Sequence, residues 1–172
     1  MFLSDKQHKY HSYFVKGCKD EQMVRQLIEN TFNCKTELPS LTEDVKQHVD
    51  FWVIKDNKKY GIDVKGRRKT NRKDNSYNDE IQWIELQNCN GYNGWIYGKS
   101  VYIAFLTSNS IILVSRKKLL NFVLSRITNT TISYNNPSEC YVPYQRKNRK
   151  DIIIKMPTKD LLEIAQHKLP FG

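Results

Sequence analysis

The sequence predicts one mixed α/β domain in which a central mixed β-sheet is flanked by helices. Three observations predict this class: apolar residues at helical spacing near the N-terminus, two pairs of apolar segments joined by short polar turns, and two amphipathic segments nearer the C-terminus. The chain has 172 residues, of which 39% are hydrophobic, which is enough for one core. We therefore expect residues 1–172 to form a single layered domain.

The first expected element is a helix over residues 19–33. Its apolar positions recur every three or four residues: Met23, Val24, Leu27, Ile28 and Phe32. Asp20 is the expected N-cap, and Asn33 is a residue type that can end a helix. Residues 34–47 are polar and include a proline, so they are expected to form a connection without regular structure.

Residues 48–55, "HVDFWVIK", and 59–65, "KYGIDVK", are predicted to be two strands. The segment between them, "DNK", is a turn signal, so the two strands should form a hairpin. Residues 69–80 are polar and are expected to form an exposed loop. Residues 81–88, "IQWIELQN", are predicted to be a short strand or a short helix.

Residues 100–108 and 110–116 are predicted to form a second hairpin, apolar enough to occupy the middle of the sheet. An amphipathic helix is expected over residues 117–127. Residues 140–157 should end in a strand, and residues 158–168 should form a final helix with Thr158 as its cap.

The chain is strongly basic, with a net charge of +10 and a sequence pI of about 9.4. Such an excess favours polyanionic partners such as nucleic acid, although a generally lysine-rich surface is the alternative. The positive charges are concentrated in two clusters: Arg67, Arg68, Lys69, Arg72 and Lys73 in the first, and Arg146, Lys147, Arg149 and Lys150 in the second. We expect both to contact phosphates, the alternative being two solvated loops.

The chain has no apolar run long enough to span a membrane, and its first residues carry charges where a signal peptide needs an apolar core. A cytoplasmic location without membrane association is therefore expected. The four cysteines, Cys18, Cys34, Cys89 and Cys140, are widely spaced, so free and mostly buried thiols are expected rather than disulfides or a zinc site.

Two acids and a lysine are the informative residues of the first hairpin. Asp50 and Asp63 can converge across the strand pair, and two adjacent carboxylates repel each other unless a cation lies between them. Mg²⁺ or Mn²⁺ would meet that need, and Lys65 could then orient a water or stabilise transition-state charge. The alternative is a solvated Asp–Lys pair on an edge strand.

The segment "VDFWVIKDNKKYGIDVKGR" resembles the core hairpin of the PD-(D/E)XK nuclease superfamily, which includes restriction enzymes, Holliday-junction resolvases and many phage nucleases. Asp50 matches its first acidic motif, Asp63 its second, and Lys65 its lysine. The first motif is "HVD" here instead of "PD". The resemblance implies a restriction-endonuclease-like core and Mg²⁺-dependent hydrolysis of DNA, with Asp50, Asp63 and the Val64 carbonyl as metal ligands.

The resemblance also implies further site residues. The segment "GCKDEQMVRQLI" is similar to a helix of the resolvase-like branch and indicates Glu21 as an additional metal ligand, with Glu29 as the other candidate. Glu85 or Gln87 would lie near the scissile phosphate. Trp95, in a glycine-rich turn similar to segments of phage members, could stack on a base, although such a residue is often simply packed. Small members often act as dimers, so a homodimer is expected.

Two alternative functions stay open from the sequence. The first is a nucleic-acid-binding protein without catalytic activity, whose acidic residues are coincidental. The second is a ribonuclease or RNA-processing enzyme with the same fold.

Overall fold

The computed structural model describes residues 5–69, 76–135, 137 and 139–171. Within these residues it has four α-helices: α1 (Asp5–Phe32), α2 (Leu41–Gln47), α3 (Arg116–Arg126) and α4 (Thr158–Glu163). A 3₁₀ turn spans Trp95–Tyr97. The strands are β1 (Lys35–Glu37), β2 (Phe51–Lys55), β3 (Lys58–Lys65), β4 (Ile81–Gln87), β5 (Tyr102–Leu106), β6 (Ser110–Ser115), β7 (Tyr144–Gln145), β8 (Ile152–Pro157) and β9 (Ala165–Pro170).

The strands of the described residues form two sheets. The larger sheet has six strands in the order β1-β2-β3-β5-β6-β9, and the smaller has three in the order β4-β8-β7. Only the β3–β5 pair of the large sheet is parallel, and its other pairs are antiparallel. The predicted mixed α/β class with a mixed central sheet is therefore confirmed.

The central strands β5 and β6 separate two hydrophobic clusters, because successive side chains of a strand point to opposite faces. Ala104 and Leu113 belong to the cluster that includes α1, whereas Phe105 and Val114 belong to the cluster that includes α3, α4 and β8. The large sheet is thus covered by α1 on one face and by α3, α4 and the small sheet on the other.

The β2–β3 hairpin is built by its turn and by its apolar pattern. Asp56 and Asn57 both have positive φ angles, 51° and 58°, which suit a two-residue turn between antiparallel strands. The register pairs Phe51 with Ile62, and both side chains are fully buried. Asp50, one residue before β2, therefore lies opposite Asp63.

Three N-terminal predictions differ from the structure. Helix α1 begins far earlier than residue 19, so Asp20 lies within it and pairs with Lys16 at 2.8 Å instead of capping it. The connection predicted over residues 34–47 contains β1 and α2. Strand β1 is short and has a mixed exposure pattern, and α2 buries no residue, so neither has a hydrophobic periodicity.

The predicted C-terminal helix ends at Glu163, and residues 165–170 form β9 instead. The reason is tertiary: β9 pairs with β6 along the edge of the central sheet. Pairing with a buried strand outweighs a weak local helix preference. Segment 81–88 is a strand, as one of the two predictions had it, and it belongs to the small sheet.

The cysteines are free, as predicted, but they are not mostly buried. Cys18 and Cys89 are exposed, and Cys34 and Cys140 are half-buried. None of the helices in the described part of the chain is long and apolar enough to cross a membrane.

Candidate active site

Asp63 lies at the centre of a buried ion-pair group. It occupies the interior of β3, between β2 and β5, and is 1% exposed. Its Oδ1 lies 2.5 Å from Lys65 Nζ, and its Oδ2 accepts a hydrogen bond of 2.7 Å from Arg116 Nη2. Lys65 follows two residues later on the same face of the strand. A buried carboxylate is thus held between two cations.

Arg116 is a site residue that the sequence reasoning missed. It is the first residue of α3, is only 6% exposed, and donates from Nε to the Ser100 carbonyl oxygen at 2.9 Å. Its Nη1 donates to the Trp95 carbonyl oxygen. The signal in the sequence was weak, because Arg116 begins a run of three basic residues and resembles an ordinary exposed helix start.

Asp50, the residue before β2, contacts the strand that carries Asp63. Its Oδ2 accepts a 2.5 Å hydrogen bond from the Val64 backbone N–H. Burial, together with the neighbouring Asp63 carboxylate, raises the pKa of Asp50 to about 7, against the lowering effects of the Val64 N–H and of Lys65. Asp50 and Asp63 are therefore close enough to oppose each other's ionisation.

Of the two candidate acids on α1, Glu21 is the one coupled to this group. Burial and the carboxylates of Asp44 and Asp20 raise the pKa of Glu21, and Asp63 adds to the rise. Glu21 and Asp50 also line one open groove of about 370 Å³ along α1. Glu29 lines the groove too, but its Oε1 accepts a 2.5 Å hydrogen bond from the Thr36 hydroxyl of β1.

Glu85 and Gln87, both on β4, have different surroundings. Burial raises the pKa of the Glu85 carboxyl, while the Trp95 N–H and then the charge of Lys65 act in the opposite direction. The charge of Lys65 in the ion-pair group therefore acts on Glu85. Gln87 instead donates from Nε2 to the Lys150 carbonyl oxygen at 2.5 Å, so its amide fastens two chain segments together.

Trp95 is packed in the core, which is the second of the two roles that the sequence left open. It is 6% exposed and packs edge-to-face against Phe105, with the ring centroids 6.1 Å apart. Lys65 Nζ lies 4.6 Å from the centroid of the Trp95 ring. The indole therefore supports Lys65 from within the core.

The first basic cluster is divided between structural and exposed positions. Arg67 makes a two-pronged ion pair with Asp79, at 2.8 and 3.0 Å, and its guanidinium lies over the Tyr77 ring. Since both prongs are engaged, Arg67 joins the residues after β3 to those before β4 and is a poor phosphate ligand. Arg68 and Lys69 are exposed. Arg72 and Lys73 lie outside the described residues.

The second basic cluster forms the turn between β7 and β8. Arg146 pairs through Nε with Asp151 Oδ2 at 2.5 Å, and Asp151 is completely buried. The other three cations of the turn have exposed side chains: Lys147, Arg149 and Lys150. We call residues 146–151 the basic turn. Arg146 is anchored internally, and contact of this turn with phosphates stays a prediction.

No three histidine, cysteine, aspartate or glutamate side chains within the described ranges are grouped closely enough to hold a metal ion. The donor chemistry nonetheless suits Mg²⁺ or Mn²⁺, because both ions prefer carboxylate and carbonyl oxygens. Burial is the main cause of the raised pKa values of Asp50, Glu21 and Glu85, and the Asp63 carboxylate adds to the rise at Asp50 and Glu21. A divalent cation between Asp50 and Asp63 would offset their mutual repulsion.

Replacing Asp50 with asparagine should stabilise the metal-free protein at pH 8. The pKa of Asp50 in the folded state is above the ordinary 3.8, so the ionised carboxylate destabilises the fold. The loss of stability begins near pH 4, grows as the pH rises to about 7 and is complete above that pH. Asparagine can still accept the Val64 hydrogen bond. We expect a gain of about 2 kcal/mol at pH 8 and a smaller gain at pH 5, measured by urea unfolding in EDTA.

Asp56→Asn, in the turn of the same hairpin, is the matched control and should change the free energy of unfolding by less than about 0.5 kcal/mol. Added Mg²⁺ should stabilise the wild type more than Asp50→Asn. A variant less stable than the wild type at pH 8 would contradict the electrostatic strain inferred at Asp50.

The structure places Asp50 opposite Asp63 and Lys65 in contact with Asp63, and the charges of this group act on Glu21 and Glu85. It adds Arg116 and leaves Gln87 and Glu29 in other hydrogen bonds. Comparison of the chain with protein-family models, curated proteins and solved structures finds no match. The function of the group therefore has to be inferred from its own contacts and charges.

Proposed function

We propose that the protein is a Mg²⁺- or Mn²⁺-dependent nuclease of the PD-(D/E)XK type, with a restriction-endonuclease-like core, that hydrolyses phosphodiester bonds in DNA. One observation carries the proposal. Asp50 and Asp63 lie opposite each other at the end of the β2–β3 hairpin, and Lys65 contacts Asp63 from the same strand. Two acids and a lysine in this arrangement suit metal-assisted phosphodiester hydrolysis.

The proposed metal ligands are Asp50, Asp63 and the Val64 carbonyl, with Glu21 on the α1 side. Val64 donates its N–H towards Asp50, and the C=O of a strand residue points to the same side as its N–H. Bound there, Mg²⁺ or Mn²⁺ would offset negative charge on a phosphate oxygen as the phosphodiester bond breaks.

Lys65 is proposed to act directly on the substrate. Its ammonium group is held by Asp63 and by the face of Trp95, both fixed in the core, so its position is defined before substrate binds. From there it can donate to a phosphate oxygen or orient the attacking water. Glu85, on whose carboxyl the charge of Lys65 acts, is proposed to accept a proton from water.

DNA is the proposed substrate because the acidic group is flanked by positive charge. Exposed cations lie after β3, at Arg68 and Lys69, and on the basic turn. These charges attract a phosphate backbone, and they do so without distinguishing DNA from RNA. The resemblance described above favours DNA, and a homodimer is part of the same proposal.

A cleavage assay tests the proposal with Lys65→Ala as its variant. Supercoiled plasmid, linear duplex, single-stranded DNA and RNA are incubated with Mg²⁺, Mn²⁺ or EDTA. We expect metal-dependent cleavage of DNA by the wild type and a loss of about 10²-fold or more in Lys65→Ala, because charge stabilisation by one cation is removed. Lys58→Ala, at the exposed opposite end of β3, should cleave normally.

A second candidate function, nucleic-acid binding without catalysis, is favoured by one observation. Both oxygens of Asp63 are already bound by cations, Lys65 and Arg116, so this carboxylate is neutralised without any metal. Salt-sensitive DNA binding with no cleavage of any substrate in either metal would support this function and contradict the nuclease. Cleavage of RNA alone would instead move the proposal to a ribonuclease.

A further inference from the structure

A rigid turn after β4 presents an aromatic ring to solvent. Tyr92 is 73% exposed. The turn is ordered by Asn88, whose Oδ1 accepts hydrogen bonds from the N–H groups of Asn90 at 2.9 Å and Tyr92 at 3.0 Å. The Asn88 N–H donates to the Tyr92 carbonyl at 2.8 Å, and Gly91 provides the left-handed residue, with φ of 90°. The backbone that carries the ring is therefore fixed.

The same turn is fastened to the basic turn. Gln87 Nε2 donates to the Lys150 carbonyl oxygen, and a Cβ added at Gly91 would lie 3.4 Å from Lys150 Cδ. The basic turn is itself anchored by the ion pair of Arg146 with the buried Asp151. The exposed ring thus lies beside a fixed group of exposed cations.

The turn that carries Tyr92 leads into the proposed active site. It continues to Trp95, three residues after Tyr92, and the centroid of the Trp95 ring lies 4.6 Å from Lys65 Nζ of the ion-pair group. The charges of Lys65 and of Arg146 in the basic turn both act on the Glu85 carboxyl of β4. We therefore expect a nucleic-acid strand bound at Lys65 to contact Tyr92 and the basic turn as well.

We propose that Tyr92 and the basic turn bind unpaired nucleotides next to the bond that is cleaved, one base stacking on the Tyr92 ring while neighbouring phosphates contact Lys147, Arg149 and Lys150. The inference rests on the proposed nuclease function and makes it more specific. Aromatic rings stack on any base, whereas bases within a continuous duplex are already stacked on each other. The preferred substrate is therefore single-stranded, or branched with an unpaired arm.

Binding measurements test this inference without any need for cleavage. Fluorescence anisotropy in EDTA gives the affinity of the full chain for labelled dT20, for a 20-mer of abasic sites and for a 20-base-pair duplex. We expect Tyr92→Leu to weaken binding of dT20 about tenfold, which is about 1.4 kcal/mol, and to leave abasic and duplex binding unchanged. Tyr92→Phe keeps the ring and should bind dT20 within about twofold of the wild type.

The other outcomes each overturn the inference. No binding of dT20 by the wild type excludes a single-strand site. Equal losses for dT20, abasic and duplex ligands in Tyr92→Leu show a structural role of the side chain. Loss of affinity in Tyr92→Phe assigns the effect to the hydroxyl group. Labelled U20, measured in the same way, shows whether the site prefers the unpaired bases of RNA or of DNA. Because no metal is present, these binding results do not depend on whether the nuclease proposal is correct.

Discussion

Asp63→Asn is expected to reduce Mg²⁺-dependent DNA cleavage by about 10³-fold or more, equal to about 4 kcal/mol of transition-state stabilisation. The substitution keeps the shape of the side chain but removes the charge that would hold the metal. It also removes the anion between Lys65 and Arg116. Lys65 then loses the contact that positions its ammonium group, so metal binding and lysine placement fail together.

Single-turnover cleavage of plasmid DNA at saturating Mg²⁺ measures this effect. Asp56→Asn is the matched control, because it makes the same chemical change in the turn of the same hairpin, where asparagine tolerates the positive φ angle. DNA affinity in EDTA should stay within about threefold of the wild type, which shows that the variant is folded. Cleavage retained within tenfold by a folded Asp63→Asn protein would exclude Asp63 from the reaction.

Arg116→Ala is expected to lower the free energy of unfolding by about 3–5 kcal/mol. The guanidinium is buried and joins Asp63, Ser100 and the Trp95 carbonyl. Removing it leaves a buried carboxylate with one cationic partner instead of two and removes the Arg116 donor from the Ser100 carbonyl oxygen. Arg116→Lys retains a charge but lacks the planar fork, so we expect an intermediate loss.

Urea unfolding at pH 7 measures these free energies. Arg126→Ala, on the exposed last turn of the same helix, is the control and should cost less than about 1 kcal/mol. A double-mutant cycle with Asp63→Asn should be clearly less than additive, because the two residues share one ion pair. Additive losses, or an Arg116→Ala loss below about 1 kcal/mol, would show that Arg116 does not hold Asp63.

The strand pairs β2–β3 and β5–β6 and the helix α3 could be predicted because the hydrophobic pattern of their own residues indicates them. Phe51 and Val53 of β2 share one buried face, and the turn residues Asp56 and Asn57 suit a tight hairpin. The register then follows, and with it the facing positions of Asp50 and Asp63. This part of the candidate site depends on residues close in sequence, so local pattern was sufficient.

Elements with little local signal could not be predicted. Helix α2 is specified mainly by its capping box, in which Ser40 and Glu43 satisfy each other's backbone donors, and it buries no side chain. Strand β9 has a helix-like composition but pairs with β6. Helix α2 depends on local polar contacts and β9 on pairing with a distant segment. Hydrophobic periodicity indicates neither kind of contact.

Strand periodicity and a two-residue turn were enough to predict the α/β class, the β2–β3 hairpin and the convergence of Asp50, Asp63 and Lys65. Three features of the site depend on the packing of distant segments: Arg116, 53 residues away, reaches Asp63, Trp95 lies under Lys65 instead of in solvent, and Glu21 is the α1 acid whose charge acts on Asp50. Local pattern cannot predict them, because a buried charge takes whichever partner the packing brings within hydrogen-bond distance.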